Sequence, residues 1–365
     1  MRLLVAAGAS GGGVYPALAV LQELDNDDLE LLWVGGEGGL EEDLVARAGY
    51  PLRTLPAAGL HGVGLLSLPG NLWQLGRGYF AARRLLREFK PDVMFFTGGF
   101  VAAPVAAAGS RIPALAFVPD IRPGFTLRFI ARFANKIAVV VDETRKYFSN
   151  QDRVKVTGYP IRKEIRRWKR ADAMKHFELS DSLPTLLVFG GSKGAQSINR
   201  ALAAALPELL REMQILHVTG IGNWEEAQAA MADLDANLSA NYHPYPYLHD
   251  DMGAAFAAAD LAVCRAGAST LGELPVFGLP AVLVPIPIKG HLQQVNADYL
   301  QERGAAIVLQ DSELPNSLAE TVRGLTKDKG RAAGMQNAMT SLVAVDAAKQ
   351  IAGLLRELGK GAAPA

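Results

Sequence analysis

The sequence has 365 residues, which is enough for two domains of ordinary size. Half of the residues are hydrophobic and a fifth are charged, a composition that predicts a folded chain and excludes a largely disordered one. Lys and Arg together number 37, as do Asp and Glu, and this balance argues against a general nucleic-acid-binding protein.

The first part of the chain alternates short apolar runs with amphipathic runs, a pattern typical of parallel α/β domains. It predicts strands at 2–7, 30–34 and 92–97, and helices at 16–24, 41–48 and 71–88. The apolar start is too short for a signal peptide and runs into a glycine-rich loop, so we expect a buried strand there. Apolar runs fall well short of the ~20 residues of a transmembrane helix, and we expect a cytoplasmic protein.

The second part repeats the scheme, with strands predicted at 185–189, 215–219, 261–264 and 281–284. The single cysteine, Cys264, forms no internal disulfide, and its apolar neighbours favour a core residue over a nucleophile. We therefore expect two Rossmann-like domains with a basic linker near 158–169. The predicted boundaries are 1–157 and 158–342, followed by a helix and tail, 343–365, that packs back on the first domain.

Both predicted domains open with a strand, a glycine loop and a helix. The first glycine loop is residues 8–13 and the second is residues 190–195. Free N–H groups and the dipole of a helix N-terminus attract anions there, and glycine lets a phosphate approach the backbone closely. Neither loop matches a dinucleotide or Walker A motif, so a tight turn is the alternative for each alone. Two such loops across one cleft favour a phosphate site.

A third candidate is the segment 265–273, where small and hydroxyl-bearing residues again open a helix after a strand. Glu273 lies one turn into this helix. A carboxylate at that place can accept two hydrogen bonds from a ribose diol. The alternative is an acid that only stabilises its own helix dipole.

Several motifs, taken in combination over about residues 2–355, resemble the MurG family. The most specific are GGSKGAQSIN from Gly190, RAGASTLGE from Arg265 and HLQQVNA from His291. Shorter matches are SGG and VYPALA near the start, KPD, GGFV, GYPIR, DDM and GLPA. This family transfers N-acetylglucosamine from UDP-GlcNAc onto the membrane-bound precursor lipid I, which gives lipid II for peptidoglycan synthesis.

The resemblance implies a GT-B fold, in which two Rossmann-like domains face each other across a cleft and the second binds the donor. It implies an inverting, metal-independent transferase without a cofactor. His249 falls at a backbone contact to uracil, 268–273 at the diphosphate and ribose, and Gln293 at the sugar hydroxyls. The implied substrate-binding residues are Ser10, Gly11, Gly12, Asp120, Arg162, Ser192, His249, Ala268, Ser269, Thr270, Leu271, Gly272, Glu273 and Gln293.

The departures from the family lie on the acceptor side. Gly13 stands where the family has a histidine, and Phe117-Val118-Pro119-Asp120 stands where the family has His-Glu-Gln-Asn. Inverting transfer needs a base for the acceptor hydroxyl, and Asp120 is the best remaining candidate, with a turn residue as the alternative. The rival functions are a transferase with another acceptor, a non-catalytic UDP-sugar-binding protein and a UDP-GlcNAc epimerase.

Basic and apolar residues in the first domain predict peripheral attachment to the cytoplasmic face of the cell membrane. Between Arg77 and Lys155 there are 14 basic and 6 acidic residues. The alternative is an ordinary amphipathic helix with a solvated face. The predicted membrane-facing surface has the apolar residues Leu65, Leu66, Leu68, Leu72, Trp73, Tyr79 and Phe80, near Arg77, Arg83, Arg84 and Arg87. The two Asp-x-Asp sequences, at 25–27 and 233–235, favour caps and turns over a metal site.

Overall fold

The computed structural model describes residues 1–8, 11–24, 29–39, 41–57, 68–191, 194–288 and 292–361. The chain divides into two compact units. Unit 1 contains Met1–Arg162 and Ala344–Ala365, and unit 2 contains Lys163–Val343. The chain first passes from one unit to the other within the basic stretch 162–170.

Unit 1 is built on a parallel sheet. Its strands are β1 (Arg2–Ala6), β2 (Glu30–Gly36), β3 (Leu52–Leu55), β4 (Val93–Phe96), β5 (Ala114–Val118), β6 (Lys136–Val139) and β7 (Val154–Val156). The described helices among them are α1 (Gly11–Leu21), α2 (Glu41–Arg47), α3 (Leu68–Phe89), α4 (Ala102–Ala108) and α5 (Phe125–Ile130). The strand order is β3-β2-β1-β4-β5-β6-β7. All residues of β4 and β5 are buried, as expected of parallel strands covered on both faces.

Unit 2 repeats this plan with its own parallel sheet. Its strands are β8 (Thr185–Phe189), β9 (Gln214–Val218), β10 (Tyr242–Tyr245), β11 (Leu261–Cys264), β12 (Ala281–Leu283) and β13 (Ala306–Val308). Its described helices are α6 (Lys163–Arg166), α7 (Arg170–His176), α8 (Gln196–Leu209), α9 (Trp224–Ala232), α10 (Ala236–Ser239), α11 (Met252–Ala258), α12 (Thr270–Phe277), α13 (Leu292–Glu302), α14 (Leu314–Lys327) and α15 (Lys329–Ser341). The strand order is β10-β9-β8-β11-β12-β13.

The chain returns to unit 1 through α16 (Ala347–Lys360). This helix packs against α1, β4 and β5 through a buried apolar stripe that includes Ile351 and Leu355. Arg356 donates a hydrogen bond to the carbonyl oxygen of Glu23, 2.6 Å away. The end of the chain therefore completes the core of unit 1.

Both sheets have the strand order of a Rossmann fold, in which the order reverses beside the first strand. The predicted fold class of two parallel α/β domains is thereby confirmed. One local prediction is wrong, because α1 begins at Gly11 and not at Pro16. Gly11, Gly12 and Gly13 form the first turn of this helix, which places Pro16 inside it, where the proline supplies no N–H for the carbonyl one turn earlier.

Candidate functional site

The loops that follow β8 and β11 lie side by side at one edge of the unit 2 sheet. The two strands pair in parallel, with Cys264 opposite Phe189, and the strand order changes direction between them. Ligands of open α/β sheets bind outside the carboxyl ends of the strands at such a switch point. The fold thus brings together the second glycine loop and the third loop, which we define as residues 265–269.

The second glycine loop turns tightly against the end of β9. The Gly194 N–H donates to the carbonyl oxygen of Gly191 at 2.9 Å. Gly194 has a φ of +75°, and a Cβ on it would lie 2.3 Å from the carbonyl oxygen of Thr219. Only glycine fits this position without a shift of the backbone. Ser192, predicted as a donor-binding residue, lies outside the described residues.

A buried polar network also holds the carbonyl group of Thr219 in place. Asn199, in the first turn of α8, donates from Nδ2 to the Thr219 oxygen at 2.9 Å. Its Oδ1 lies 3.1 Å from His217 Nε2, and His217 Nδ1 lies 2.8 Å from the Tyr242 hydroxyl. Since Asn199 Oδ1 can only accept, the imidazole carries its proton on Nε2 and accepts from Tyr242. Burial lowers the pKa of His217 to about 3 and raises that of Tyr242, so both stay neutral near pH 7.

The third loop presents a row of free backbone donors. Within the described residues, the N–H groups of Gly267, Ala268 and Ser269 donate no hydrogen bond. The Thr270 N–H and hydroxyl both donate to the carbonyl oxygen of Gly267, at 3.1 and 2.6 Å, which closes the turn where α12 begins. Successive free N–H groups at a helix N-terminus are suited to the oxygens of a phosphate.

Arg265 holds this edge of the sheet together. Its Nη1 donates to the carbonyl oxygens of Val284 and Pro285, each at 3.2 Å. The same atom lies 2.5 Å from Asp311 Oδ1, and Nη2 donates to Ser197 Oγ at 2.8 Å. Arg265 therefore joins the ends of β11 and β12 to α8 and to the short 3₁₀ helix Asp311–Glu313. Asp311 is 46 residues away and was not predicted, because no local pattern indicates this contact.

Helix α13 supports the third loop from a second direction. Asn296, which is completely buried, donates from Nδ2 to the carbonyl oxygen of Ala266 at 3.2 Å. Gln293 is half-buried, and its Oε1 accepts the Ile286 N–H at 3.1 Å in the loop after β12. The structure thus places the predicted sugar-binding Gln293 one turn before a residue that positions the third loop.

Glu273 lies in the first turn of α12 and is half-buried. Together with burial, its charge raises the pKa of the Cys264 thiol at the end of β11. The thiol stays protonated at neutral pH, which agrees with a core residue and not with a nucleophile. Thr270, Leu271 and Gly272, also predicted to contact the donor, are buried in the first turn of the same helix.

His249 follows a strand that is not adjacent to β8 or β11 in the unit 2 sheet. It is exposed, in the loop after the edge strand β10, and its ring meets that of Tyr247 edge to face at a centroid distance of 4.5 Å. Two strands, β9 and β8, separate β10 from β11. The predicted uracil contact and the third loop therefore lie at the same sheet edge but several strand spacings apart.

In unit 1 the switch point lies between β1 and β4, and their following loops pack tightly. The Thr97 hydroxyl donates to the carbonyl oxygen of Gly13 at 2.6 Å. Gly99 has a φ of +90°, and a Cβ on it would lie 2.8 Å from the Gly8 nitrogen. A Cβ on Gly13 would lie 3.3 Å from the Gly8 oxygen, so a side chain there needs a shift of a few tenths of an ångström. Gly11 and Gly12 form the first turn of α1, and Ser10 lies outside the described residues.

Glu41 is a buried acid beside this loop that the sequence analysis missed. Its side chain is 1% exposed, and its Oε1 accepts the Gly36 N–H at 2.8 Å. A Cβ on Gly8 or Gly39 would lie within 2.3 Å of its carboxylate oxygens. A side chain at either glycine would therefore displace the Glu41 carboxylate. The run of glycines just before it, residues 35–39, is the signal that could have indicated this contact.

Asp120 follows β5, the strand next to β4, and is half-buried. Phe117, which replaces a polar residue of the family motif, is completely buried, and its ring meets that of Tyr159 at a centroid distance of 6.0 Å. In the segment 117–120, the first two residues therefore belong to the buried strand β5 and the last two to the loop that follows it. Arg162 also belongs to unit 1, where its Cζ lies 4.3 Å from the centroid of the Tyr15 ring.

Among the described residues, no group of three or more His, Cys, Asp or Glu side chains has a metal-binding arrangement. No helix built from those residues is both long and apolar enough to cross a bilayer.

Two family models match most of the chain. Residues 3–139 match the N-terminal domain of glycosyltransferase family 28, and residues 185–351 match its C-terminal domain. The first match covers β1 through β6, and the second runs from the start of β8 into α16. Both switch points therefore lie within matched segments.

Named relatives match this chain over nearly their full length. The UDP-N-acetylglucosamine–N-acetylmuramyl-(pentapeptide) pyrophosphoryl-undecaprenol N-acetylglucosamine transferase of Roseiflexus sp. (strain RS-1) is 39% identical over 98% of this chain and 95% of the relative. The enzyme of the same name from Desulforamulus reducens is 37% identical over 94% of both chains.

Solved structures of similar fold also match nearly the whole chain. The crystal structure of Acinetobacter baumannii MurG has a TM-score of 0.74 and 27% identity, over 98% of this chain and 99% of that one. A UDP-GlcNAc 2-epimerase from Neisseria meningitidis, bound to UDP-GlcNAc, has a TM-score of 0.70 over 98% and 100% of the two chains. Its identity is only 12%, so it shows a shared GT-B fold alone. The chain thus belongs to the MurG family of N-acetylglucosamine transferases, within glycosyltransferase family 28.

Proposed function

We propose that this enzyme transfers N-acetylglucosamine from UDP-GlcNAc to lipid I, the undecaprenyl-pyrophosphoryl-MurNAc-pentapeptide, and so forms lipid II for peptidoglycan synthesis. The relatives that match nearly the whole chain are named for this reaction. The observation that carries the proposal is the row of N–H groups at 267–269, which find no acceptor in the described part of the chain, where α12 begins at the switch point of unit 2. Such donors stabilise the diphosphate both when it is bound and when it departs.

The donor occupies the carboxyl edge of unit 2 in this proposal. Ala268 and Ser269 bind the diphosphate through their N–H groups, with Ser192 of the second glycine loop as a further contact. Glu273 accepts hydrogen bonds from the ribose diol, the His249 backbone contacts uracil, and Gln293 binds hydroxyls of the sugar. Arg162 is a further residue that the resemblance assigns to UDP-GlcNAc binding. Support comes from the resemblance of the motifs and from the position of 267–273 at a helix N-terminus.

The chemical step is a displacement with inversion at the anomeric carbon. The acceptor hydroxyl oxygen forms the new bond to this carbon, while the bond to the β-phosphate oxygen breaks and UDP departs. The proton of the hydroxyl passes to a base, for which we propose Asp120. Gly11 and Gly12, at the start of α1, bind substrate in this proposal through the same backbone chemistry as the third loop, and Ser10, which precedes them in the sequence, is a further substrate-binding residue.

We further propose that unit 1 attaches to the cytoplasmic face of the cell membrane, where the lipid-linked acceptor lies. Trp73 and Phe80 of α3 and Phe125 of α5 are each more than 60% exposed, and α4 packs against both helices. Phe129 adds a further exposed ring to α5. Leu65 and Leu66 lie outside the described residues, as do the side chains of Leu68 and Leu72.

The donor assignment is tested by changing Glu273 to Gln. A charge-assisted hydrogen bond to a hydroxyl contributes about 1.5–3 kcal/mol, so the KM for UDP-GlcNAc should rise at least 10-fold. The measurement is UDP release with lipid I at varied UDP-GlcNAc, together with titration calorimetry. Glu320→Gln, an exposed position on α14, is the matched control and should leave KM unchanged. Unaltered UDP-GlcNAc affinity in Glu273→Gln would overturn the ribose assignment.

One observation favours a second candidate function, transfer to a different acceptor. Gly13 and the buried Phe117 replace polar residues of the family pattern, and both changes lie in unit 1. Product formation from lipid I should be compared with that from other lipid-linked or small acceptors. UDP-GlcNAc binding without turnover would indicate a non-catalytic homologue. Release of UDP in the absence of any acceptor would indicate an epimerase.

A further inference from the structure

The loop between β10 and α11, residues 246–250, is contacted at both ends by the end of α7. Tyr245 is the last residue of β10, and Asp251 immediately precedes α11. The ring of Phe177 meets that of Tyr245 at a centroid distance of 5.5 Å, and His176 Nε2 lies 3.4 Å from Asp251 Oδ2. Two adjacent residues of unit 2 therefore contact the two residues that flank the 246–250 loop.

The end of α7 is itself fixed by its backbone. His176 is the last residue of this helix, and Phe177 follows as its C-terminal cap. The Leu179 N–H donates to the carbonyl oxygen of Met174 at 2.9 Å, as in a Schellman motif. Glu178 takes the left-handed φ, +55°, that such a motif requires, although it is not a glycine. The backbones that carry the two contacting rings are therefore held in one conformation.

The His176 ring also contacts two other rings. Its centroid lies 5.0 Å from that of Trp168 and 4.9 Å from that of Phe177. Trp168 packs in turn on the first turn of α11, because a Cβ on Gly253 would lie 2.9 Å from its Cδ1. The imidazole is partly exposed to solvent, but these contacts give it a defined place beside the start of α11.

Asp251 does not cap the helix that it precedes. It occupies the N-cap position of α11, where an aspartate usually accepts a backbone N–H, but its side chain makes no such hydrogen bond. Its carboxylate lies beside His176 instead, close enough for an ion pair when the imidazole is protonated. At the other end of the loop, Phe177 is buried, so its contact with Tyr245 is shielded from water.

We propose that His176 and Phe177 are positioning residues for the nucleobase-binding segment of unit 2. The inference rests on the proposed function, in which the His249 backbone contacts uracil. Uracil and cytosine carry opposite hydrogen-bonding groups at N3 and at the 4-position, so a peptide group can distinguish them. Hydrogen bonds weaken steeply when distance or angle changes. Selection of the base therefore depends on the contacts that place both ends of the 246–250 loop.

The test compares the affinities of UDP and CDP, which share ribose and diphosphate, in the wild type and in His176→Ala. Loss of a partly exposed ion pair and of two ring contacts should weaken UDP binding about 3- to 5-fold. CDP binding should change less than about 1.5-fold, because the loop makes fewer favourable contacts with cytosine. The ratio of the two Kd values, measured by titration calorimetry, should therefore fall about 2-fold or more. A merely structural role would lower the melting temperature and weaken both nucleotides equally.

Phe177→Leu tests the other end of the loop. It keeps an apolar side chain but removes the ring contact with Tyr245, and it should reduce the same ratio of Kd values. Because Phe177 is buried, this variant should also melt at a lower temperature, so the ratio and not the UDP affinity alone is the readout. Lys175→Ala, at the exposed neighbouring position on α7, is the matched control and should leave both affinities unchanged.

A double-mutant cycle with Asp251→Asn tests whether His176 acts through the carboxylate. Asparagine has a similar size and is equally suited to an N-cap position. Adding Asp251→Asn to His176→Ala should weaken UDP binding less than about 1.5-fold further. Additive effects of the two substitutions would show that His176 does not act through Asp251.

The negative outcomes can be told apart. A wild type that prefers UDP to CDP, with His176→Ala and Phe177→Leu keeping the full preference, would overturn the positioning role and leave the proposed function intact. A wild type that binds UDP and CDP equally well would overturn the uracil contact at His249, and the inference with it. A wild type that binds neither UDP nor UDP-GlcNAc would overturn the proposed function itself.

Discussion

Buried or partly buried polar side chains hold the loops of both units in place. Thr97 and Glu41 do so in unit 1, while His217 and Arg265 do so in unit 2. Each reaches backbone or side chains far along the chain, except Glu41, whose partner Gly36 is local. A buried polar group that loses its partner destabilises a fold by about 1–3 kcal/mol, so these contacts fix loop positions strongly.

At the residue scale, His217 makes stability depend on pH in a defined direction. Burial lowers its folded pKa to about 3, whereas an unfolded histidine has a pKa of about 6.5. Below pH 6.5 the unfolded state therefore binds a proton that the folded state does not, and stability falls as pH falls. Between pH 7.5 and pH 5 the loss should be about 2 kcal/mol, measured by urea unfolding.

The control for this prediction is His217→Gln, which removes the titrating ring but keeps a polar side chain of similar length. Its stability should be lower at pH 7.5 and should fall less than the wild type between pH 7.5 and pH 5. An equal fall in both proteins would assign the pH dependence to other groups.

Residue-scale predictions from sequence succeeded where chemistry is local. The spacing from Arg265 to Glu273 indicated a loop and a helix start, and the structure has them at 265–270. The partners of Arg265 could not be predicted, because Ser197 and Asp311 approach it only through the packing of α8 and of the 3₁₀ helix that follows β13. The contact of Tyr15 with Arg162 was missed for the same reason.

At the element scale, the alternation of apolar and amphipathic runs predicted most strands closely. The predicted strands at 185–189 and 261–264 agree in both bounds with β8 and β11. Short elements with weak signals were missed, such as α5 and β7, whose sequences are six and three residues long. Their conformation depends on packing against β5 and β6 more than on their own residues.

The second glycine loop gives a sharp prediction at the same scale. Gly194→Ala adds a Cβ 2.3 Å from the Thr219 oxygen at a φ of +75°, so the turn must move. We expect the variant to lose about 2 kcal/mol or more of stability and to bind UDP-GlcNAc at least 10-fold more weakly. Chemical denaturation and titration calorimetry measure the two effects.

Gly222→Ala is the matched control for Gly194→Ala. It lies in the neighbouring 3₁₀ helix Ile221–Asn223, and a Cβ there meets nothing within 4 Å. This variant should bind UDP-GlcNAc as the wild type does. Wild-type UDP-GlcNAc affinity in Gly194→Ala would mean that the loop does not contribute to the donor site.

At the scale of the whole molecule, one strand order is used twice, and the chain ends by returning to the first unit. The duplicated opening of strand, glycine loop and helix made two Rossmann-like sheets predictable from sequence. The acceptor side was less predictable, because Gly13 and Phe117 remove the side chains by which the family pattern is usually identified. The sequence therefore predicts the common Rossmann-like architecture of the two units better than it predicts the acceptor-side residues of unit 1.

The proposed attachment to a membrane involves unit 1 as a whole. On α3, Trp73, Arg77, Phe80 and Arg84 follow one another at spacings of three and four residues, so they lie along one face. The excess of eight basic residues between 77 and 155 should favour anionic lipid. We expect the protein to sediment with vesicles containing phosphatidylglycerol, and less as salt increases.

Changing both Trp73 and Phe80 to Ser should reduce this sedimentation at least 5-fold, because each exposed ring buries apolar surface in the lipid interface. Ile221→Ser, at a 72% exposed apolar position of unit 2, is the matched control and should sediment as the wild type does. The double variant should keep its turnover with a water-soluble acceptor analogue. If the double variant sediments as fully as the wild type, the membrane contact does not involve the exposed rings of α3. The basic charge of unit 1 is the same in the double variant and the wild type, so charge cannot explain a difference between them.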